Sequence, residues 1–418
     1  MAADVEDRPL PTPTPSPSLW RNRDFLLLWS GQVVSTLGTQ VSSLALPLLA
    51  LALLHSPAQA GLIAAARSVP YLLFSLPAGA LIDRWDRKKA MIRCDLARFL
   101  VYGSIPLAYA LGHLTVAQLY LVALVEGTAF VFFNIAEVSC LPRVAPTEQL
   151  ARANAFNASG EAVSFLVGPG LGGFIVGLAR TTVSGAMLAY LIDAVSYLVS
   201  VASLGSIRTP FQGTRVAEAD RSLRREIAEG LRFLWRHRRL RAMALLCMGT
   251  NVFFSPIFLA IIVLAQRDFH ADARGIGLIF SLSSVGGIVG AVLAPWLKAR
   301  LSFGRIIIGS TVLQGVAVTL VAAAPSPALV VAGGLIAFMA APIFNVSSIS
   351  YRLALTPDAL QGRVNSVFRL LALSGQPLGA ALGGVLLGPL GPRVELWLIA
   401  AGITFCALAV SFTAVRSA

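Results

Sequence analysis

Twelve apolar runs, most of them twenty residues or longer and separated by short polar turns, constrain this chain more than any other feature. Their approximate limits are 25–54, 58–82, 90–111, 115–139, 154–179, 184–207, 242–266, 275–297, 305–323, 328–350, 363–388 and 394–415. About twenty apolar residues of helix cross the hydrocarbon core of a bilayer. Helix is also the structure in which such a run satisfies its own backbone there. Of the 418 residues, 56% are hydrophobic and 13% charged, the latter about half the charged share of a soluble domain. The pattern predicts an all-α membrane protein with twelve transmembrane helices. Turns as short as His55-Ser56 and Gly112-His113 force antiparallel neighbours and leave no room for an outer domain.

The net charge of +13 would suit a nucleic-acid binder, but the placement of the charges excludes nucleic acid as a partner. Of 33 basic residues, only Arg180, Arg267, Arg274 and Arg393 fall in turns assigned outside, and Arg67 lies within a span. The remainder are assigned to the inner side or to helix ends facing it, which is the positive-inside bias of topology. An even number of spans then puts both termini in the cytoplasm, in a multi-pass protein of the inner (plasma) membrane. Residues 1–20 are polar and rich in proline, as in a disordered cytoplasmic tail, and lack the layout of a signal peptide. The scarcity of Lys beside abundant Arg suggests a GC-rich, bacterial genome. Cys94, Cys140, Cys247 and Cys406 have no paired spacing and read as small core residues.

One turn says more. The stretch GALIDRWDRKK, from Gly79 to Lys89, joins spans 2 and 3 and holds Asp83, Arg84, Asp86, Arg87, Lys88 and Lys89. That density of charge belongs in water at a membrane face. Gly79, Leu81, Asp83, Arg84, Arg87 and Lys88 resemble, at matching spacing, the loop between helices 2 and 3 of the major facilitator superfamily, with Asp86 where many members carry Gly. A repeat supports two halves. At an offset of 211, Pro146, Arg152, Asn154, Gly168, Leu171, Gly172 and Gly173 meet Pro357, Arg363, Asn365, Gly379, Leu382, Gly383 and Gly384. The resemblance implies two pseudo-symmetric six-helix bundles, over 21–207 and 242–418. The wording PRVAPTEQLARANA and EGLRFLWRHRRLR is similar to the enterobactin exporter and macrolide efflux branch. Between the halves, a linker over 208–241 carries ten Arg and four acids. Leu223, Ile227, Leu231 and Leu234 are spaced as on an amphipathic helix, expected to lie on the inner surface and anchor to anionic lipid; a regulator-binding helix is the alternative.

Several residues could carry transport. Gly168, Pro169, Gly172 and Gly173 in span 5 resemble the signature of drug antiporters, with Ser164 replacing its upstream glycine, and favour export. Arg67, Glu126 and Asp193 lie at one depth, roughly 15 Å from the outer ends of spans 2, 4 and 6 at 1.5 Å per residue. An unpaired charge there is costly, so Arg67 is expected to pair with one carboxylate. The other would hold a proton more readily and is the coupling candidate; a static charge cluster is the alternative. By the resemblance, proton antiporters of the drug type carry an Arg four residues before a glycine in span 4. If Gly127 is that glycine, the position holds Ala123.

Gly79, Asp83, Arg84, Arg87 and Lys88 are expected to form a conformational latch. Asp83 would face the start of span 11 near Arg363, and Arg87 would meet Glu137. Gln32, Gln40, Asn134, Asn251, Asn345 and Gln376, with Phe132, Phe133, Phe253, Phe254 and Phe344 nearby, are candidates to line one cavity. Such a cavity suits an amphipathic solute better than a sugar.

The sequence has no G-x-x-x-x-G-K-[ST] loop for nucleotide, no metal-ligand constellation and no nucleophile triad, so neither cofactor nor enzyme is expected. The reading is a secondary active exporter of small organic molecules, such as an antibiotic, a macrolide-like compound or a siderophore. It would act as a monomer in the bilayer, with a proton as the possible counter-ion. An importer of the same fold and a non-transporting membrane sensor are the alternatives.

Overall fold

The computed structural model describes residues 19–212 and 223–416; the Pro-rich segment expected as a tail falls almost wholly outside them. The described residues form thirteen α-helices and no strand: α1 (Arg23–Leu54), α2 (Pro57–Arg84), α3 (Arg87–Ala110), α4 (Val116–Val144), α5 (Leu150–Leu178), α6 (Thr182–Ser206), α7 (Leu223–Arg236), α8 (Arg238–Phe254), α9 (Ile257–Asp268), α10 (Ala273–Arg300), α11 (Phe303–Ala322), α12 (Pro327–Leu355) and α13 (Gln361–Ser411). Ten segments are long and apolar enough to cross a membrane. Two adjustments bring the crossings to twelve. Helix α3 is long but carries charge, and α13 is two helices joined at Gly391. Its 51 residues would span about 76 Å at 1.5 Å per residue, far more than a bilayer core of about 30 Å. The chain turns back at Gly391, whose φ of 76° is the left-handed region that glycine enters without steric cost.

Side-chain caps start many of the helices. Asn22, Ser56, Asp86, Thr115 and Asp272 each accept a hydrogen bond from a backbone N–H three residues on, satisfying a donor that the first helical turn leaves free. Two expectations are corrected here. The charged turn is shorter than the sequence suggests, because Asp86 caps α3 and draws Arg87, Lys88 and Lys89 into its first turn. Span 7 is not one helix. It breaks at Ser255-Pro256 into α8 and α9, since proline has no N–H to continue the ladder.

The duplication is visible in the backbone. Pro146 and Pro357 each precede a 3-10 turn, Thr147–Gln149 and Asp358–Leu360, which runs into α5 and α13 at the same offset of 211. We call the side holding the 83–89 turn the basic face and the other the far face. On the far face, α2 packs on α13 and α5 on α10, through glycine. Gly61 meets Gly384, and Gly173 meets Gly277 and the carbonyl of Ala273. Gly170 N donates to Ser281 Oγ at 2.8 Å, and Arg274 Nη2 donates to the Gly177 carbonyl at 2.7 Å. One apolar core there runs through both sets of helices, from Val41 and Leu119 to Ile262, Val318 and Leu396. Towards the basic face it gives way to separate clusters, one around Met91 and Cys140 in the first set, and one around Met243 and Val367 with a small one at Ala294 and Ile306 in the second. The helices are therefore joined on the far face and splayed on the basic face.

Helix α7 does not lie free on a surface. Leu234 is fully buried against the second core, Gly230 abuts the Arg363 backbone, and Glu226 and Glu229 hold the Arg363 guanidinium at 3.4 and 2.6 Å. Leu231 and Trp235 remain exposed.

A side chain at Gly384 would push α13 off Gly61. Gly384→Leu should therefore loosen the far face. In a cysteine-free background, Ser255→Cys should then react several-fold faster with an impermeant thiol reagent added from that side. An unchanged rate would show that the glycine contact does not hold the two sets closed.

Candidate functional site

The polar centre lies among α1, α2, α3, α4 and α6. Arg67 donates from Nε to Glu126 Oε2 at 2.5 Å and from Nη2 to Oε1 at 3.1 Å. Glu126 is 1% exposed. This fork-on-fork geometry is the strong form of the ion pair. It requires α2 and α4 to be close, and Gly127 supplies the room: any Cβ there would strike the Arg67 carbonyl. Ala123, four residues earlier, is buried apolar packing, so the guanidinium beside Glu126 comes from α2 rather than from α4 itself.

Asp193 is fully buried and, among the described residues, faces no cation within bonding distance. Ser42 Oγ donates to its Oδ2 at 2.5 Å and Ser196 Oγ to its Oδ1 at 3.2 Å. Gly38 packs directly on the carboxylate. The Tyr102 ring lies tilted against those of Tyr190 and Tyr197, with Tyr197 Oη 2.9 Å from Thr39 Oγ1. Ser42, Arg67 and Tyr102 also line a cavity of about 340 Å³ that extends to Ser255, Pro256 and Phe280 of the second set. The three residues of one depth thus divide into an ion pair and a carboxylate held by hydroxyls.

The sequence reading missed a second buried pair. It counted Arg98 among the basic residues at inner helix ends. Arg98 sits in mid-α3, 3.4 Å from Asp95 and among the rings of Phe130, Phe133 and Tyr197 at 5.2–5.7 Å. Arg352, buried in α12, and Arg369, on α13, are likewise inside spans. The cost of intramembrane charge was signal enough to flag them, since Arg93, Asp95 and Arg98 interrupt an otherwise apolar run.

The latch contacts are absent from this conformation. Asp83 is exposed and takes Arg87 of the next turn at 3.1 Å, while Arg363 is occupied by Glu226 and Glu229. Arg87 also donates to the Ser139 carbonyl, not to Glu137. Lys88 Nζ caps the end of α6 through the carbonyls of Gly205 and Ile207 at 3.2 and 2.7 Å. These residues fasten α3 to α4 and α6 of their own set. Arg84 ends α2, and Gly79 lies in open space on the cleft wall.

The span-5 motif is used throughout its length. Gly168 packs on Gln40, Gly172 on the Val41 carbonyl and Gly173 on α10, and Pro169 lines the far cavity. The amides do not converge on one site. Gln40 lines the far cavity, Asn134 the cleft of about 520 Å³ at the basic face, and Asn251 and Asn345 a third cavity in the second set. Gln376 donates to Asn251 at 3.2 Å, and the Gln32 amide nitrogen is buried without an acceptor among the described residues. Of the aromatics, Phe254 and Phe344 line the third cavity; Phe132 stacks on Trp85, Phe133 is core and Phe253 packs on Gly402.

Comparison with known proteins follows the same outline. A family model described as a transmembrane secretion effector matches residues 15–418. The multidrug efflux pump Tap of Mycolicibacterium fortuitum is 26% identical over 375 residues, covering 86% of this chain and 88% of its own. Macrolide efflux protein A of Streptococcus pyogenes is 23% identical over 391 residues, covering 92% and 94%. Among solved structures, a bacterial homologue of the iron transporter ferroportin in an inward-facing state superposes with a TM-score of 0.74 at 17% identity, covering 94% of this chain and 98% of that one. At that identity the likeness is one of fold, and it shares the resemblance to the major facilitator superfamily.

Removing one partner of the buried pair leaves a charge in hydrocarbon, a loss of about 3–5 kcal/mol. Arg67→Leu should lower the thermal unfolding temperature of the purified protein well below that of Arg67→Leu/Glu126→Leu. Equal unfolding temperatures would mean that the pair adds nothing to the fold.

Proposed function

The chain belongs to the transmembrane secretion effector family, and from that membership we propose that it is a secondary active exporter of small amphipathic organic compounds. The family and the relatives above are transporters, and two of those relatives are named for efflux of several drugs and of macrolides. The observation that carries the reading is the single apolar core at the far face and the split core at the basic face. A cleft lined by both sets opens on the basic side, and a polar centre lies beyond it. With the basic face in the cytoplasm, as the Arg bias favours, this is the state that accepts a solute from inside the cell. Exchange of the glycine contacts for contacts on the basic face would then present the solute outside.

Asp193 is our candidate for the coupling proton. It can be neutralised without breaking an ion pair, unlike Glu126, and Ser42 connects it to the cavity. Protonation would relax its bonds to Ser42 of α1 and thereby loosen α1 against α6. The monomer is the working unit in this reading, in the plasma membrane.

Two measurements test it. A deletion strain should accumulate macrolide-type compounds; lower accumulation would reverse the direction and make the chain an importer. In everted vesicles, Asp193→Asn should cut uptake driven by a proton gradient about tenfold or more while keeping exchange of labelled for unlabelled solute. Gradient-driven uptake that survives Asp193→Asn combined with Glu126→Gln would eliminate proton coupling at either carboxylate.

A further inference from the structure

The third cavity lies wholly within the second set of helices, between α8, α11, α12 and the first limb of α13, with a volume of about 560 Å³. Its lining contains two arginines, Arg352 and Arg369, and no acid. Arg352 is 6% exposed. Its Nη2 donates to Asn365 Oδ1 at 2.7 Å, its guanidinium lies 4.2 Å from the centroid of the Phe368 ring, and its Nε has no acceptor among the described residues. Arg369 stands on the rim, exposed, where the cavity opens into the cleft between the sets, and reaches to 5.9 Å from the Tyr71 ring.

A guanidinium withdrawn from water without a carboxylate is an unusual expense in a membrane protein. The first set answers its own buried arginines: Arg67 has Glu126 and Arg98 has Asp95. Among the described residues no acid pairs with Arg352. Glu226 and Glu229 of the linker helix are committed to Arg363. Glu137 and Glu161, on helices of the first set, do not line this cavity.

We propose that this cavity binds the anionic group of an aromatic organic solute, a carboxylate or its equivalent, with Arg352 as the buried donor and Arg369 as the donor at the mouth. Guanidinium pairs oxyanions through two parallel N–H groups, and Arg352 has donors left over for that purpose. The apolar part of the solute would lie against Phe254 and Phe344, and Asn251 and Asn345 would supply neutral hydrogen bonds. The inference rests on the export reading for its purpose, and it narrows the cargo to compounds that carry a negative charge.

The test measures binding, so that it stands apart from transport. Full-length protein in phosphatidylcholine nanodiscs is titrated with 1-naphthoate, with its uncharged analogue 1-naphthamide and with 1-naphthylmethylammonium. The naphthoate should bind about tenfold or more tightly than the amide. Arg352→Gln and Arg369→Gln should each bring that ratio close to one, leave amide binding in place, and be partly rescued by lysine. Arg369 is exposed, so its variant tests the site even where Arg352→Gln does not fold. A wild-type ratio near one, a ratio kept in either variant, preference for the ammonium, or no binding of any probe would overturn the proposal. So would displacement of naphthoate by phosphatidylglycerol, which would assign the site to a lipid headgroup. Failure of everted vesicles to take up either a macrolide-type compound or 1-naphthoate, with the binding ratio intact, would sink the export reading alone.

Discussion

A guanidinium held within a membrane span is costly unless a carboxylate answers it, and the pairing of Arg67 with Glu126 shows how much else that answer demands. Two helices must approach closely enough for a bidentate contact, which is why Gly127 sits against the Arg67 carbonyl. Once Glu126 is taken, Asp193 at the same depth is left to hydroxyls, and Gly38 is needed to bring α1 onto it. The positions of α1, α2, α4 and α6 therefore follow from where charge can be tolerated as much as from apolar packing. The same logic explains the aromatic cage around Arg98, whose rings and Asp95 together replace the water that the guanidinium lost.

The contacts across the two sets obey a different rule. In lipid there is little hydrophobic gain in bringing one apolar helix onto another, so close association relies on small residues and dispersion. The duplicated Gly-Gly pair serves this twice. Its second glycine, Gly173 or Gly384, meets a glycine of the opposite set, and its first, Gly172 or Gly383, lets α5 pack on Val41 of α1 or α13 on Pro256 at the break before α9. Contacts of this kind hold by shape and carry no large electrostatic well. They can be exchanged for others at modest cost, which suits a pair of helix sets that must rock.

Much of this was legible in the sequence. Apolar runs of bilayer length and the Pro146/Pro357 repeat needed no tertiary information, because each is imposed by lipid or by duplication. The shared depth of Arg67, Glu126 and Asp193 was also readable, since depth in a regular helix is a count of residues. Partner choice was not. Asp83 and Arg363 are both at helix ends on the basic face, but the linker sends Glu226 and Glu229 to Arg363 first, and only the path of α7 decides that. Arg98 was assigned to a helix end because the positive-inside rule was applied to the whole of a span that carries charge at its start. The six amides were grouped by residue type, whereas their places on five different helices put them around separate cavities.

The two sets of helices thus differ in chemistry despite their common descent. Among the described residues, the first pairs Arg67 and Arg98 with acids and leaves Asp193 to hydroxyls. The second holds Arg352 without an ion pair and Glu395 buried without a hydrogen-bond partner. In the proposed cycle a proton would be handled by the first set and a solute anion by the second. One proton moving inward while one monovalent anion moves outward transfers two positive-charge equivalents into the cell. At an inside-negative potential each is worth about 2.3 kcal/mol per 100 mV, so the pair is driven by about 4.6 kcal/mol per 100 mV before any pH gradient is counted. For a neutral solute the same cycle would gain half of that, and for a monovalent cation nothing from the potential. An exporter with an unanswered arginine in its solute half would therefore use the membrane voltage most fully on the cargo whose charge that arginine selects.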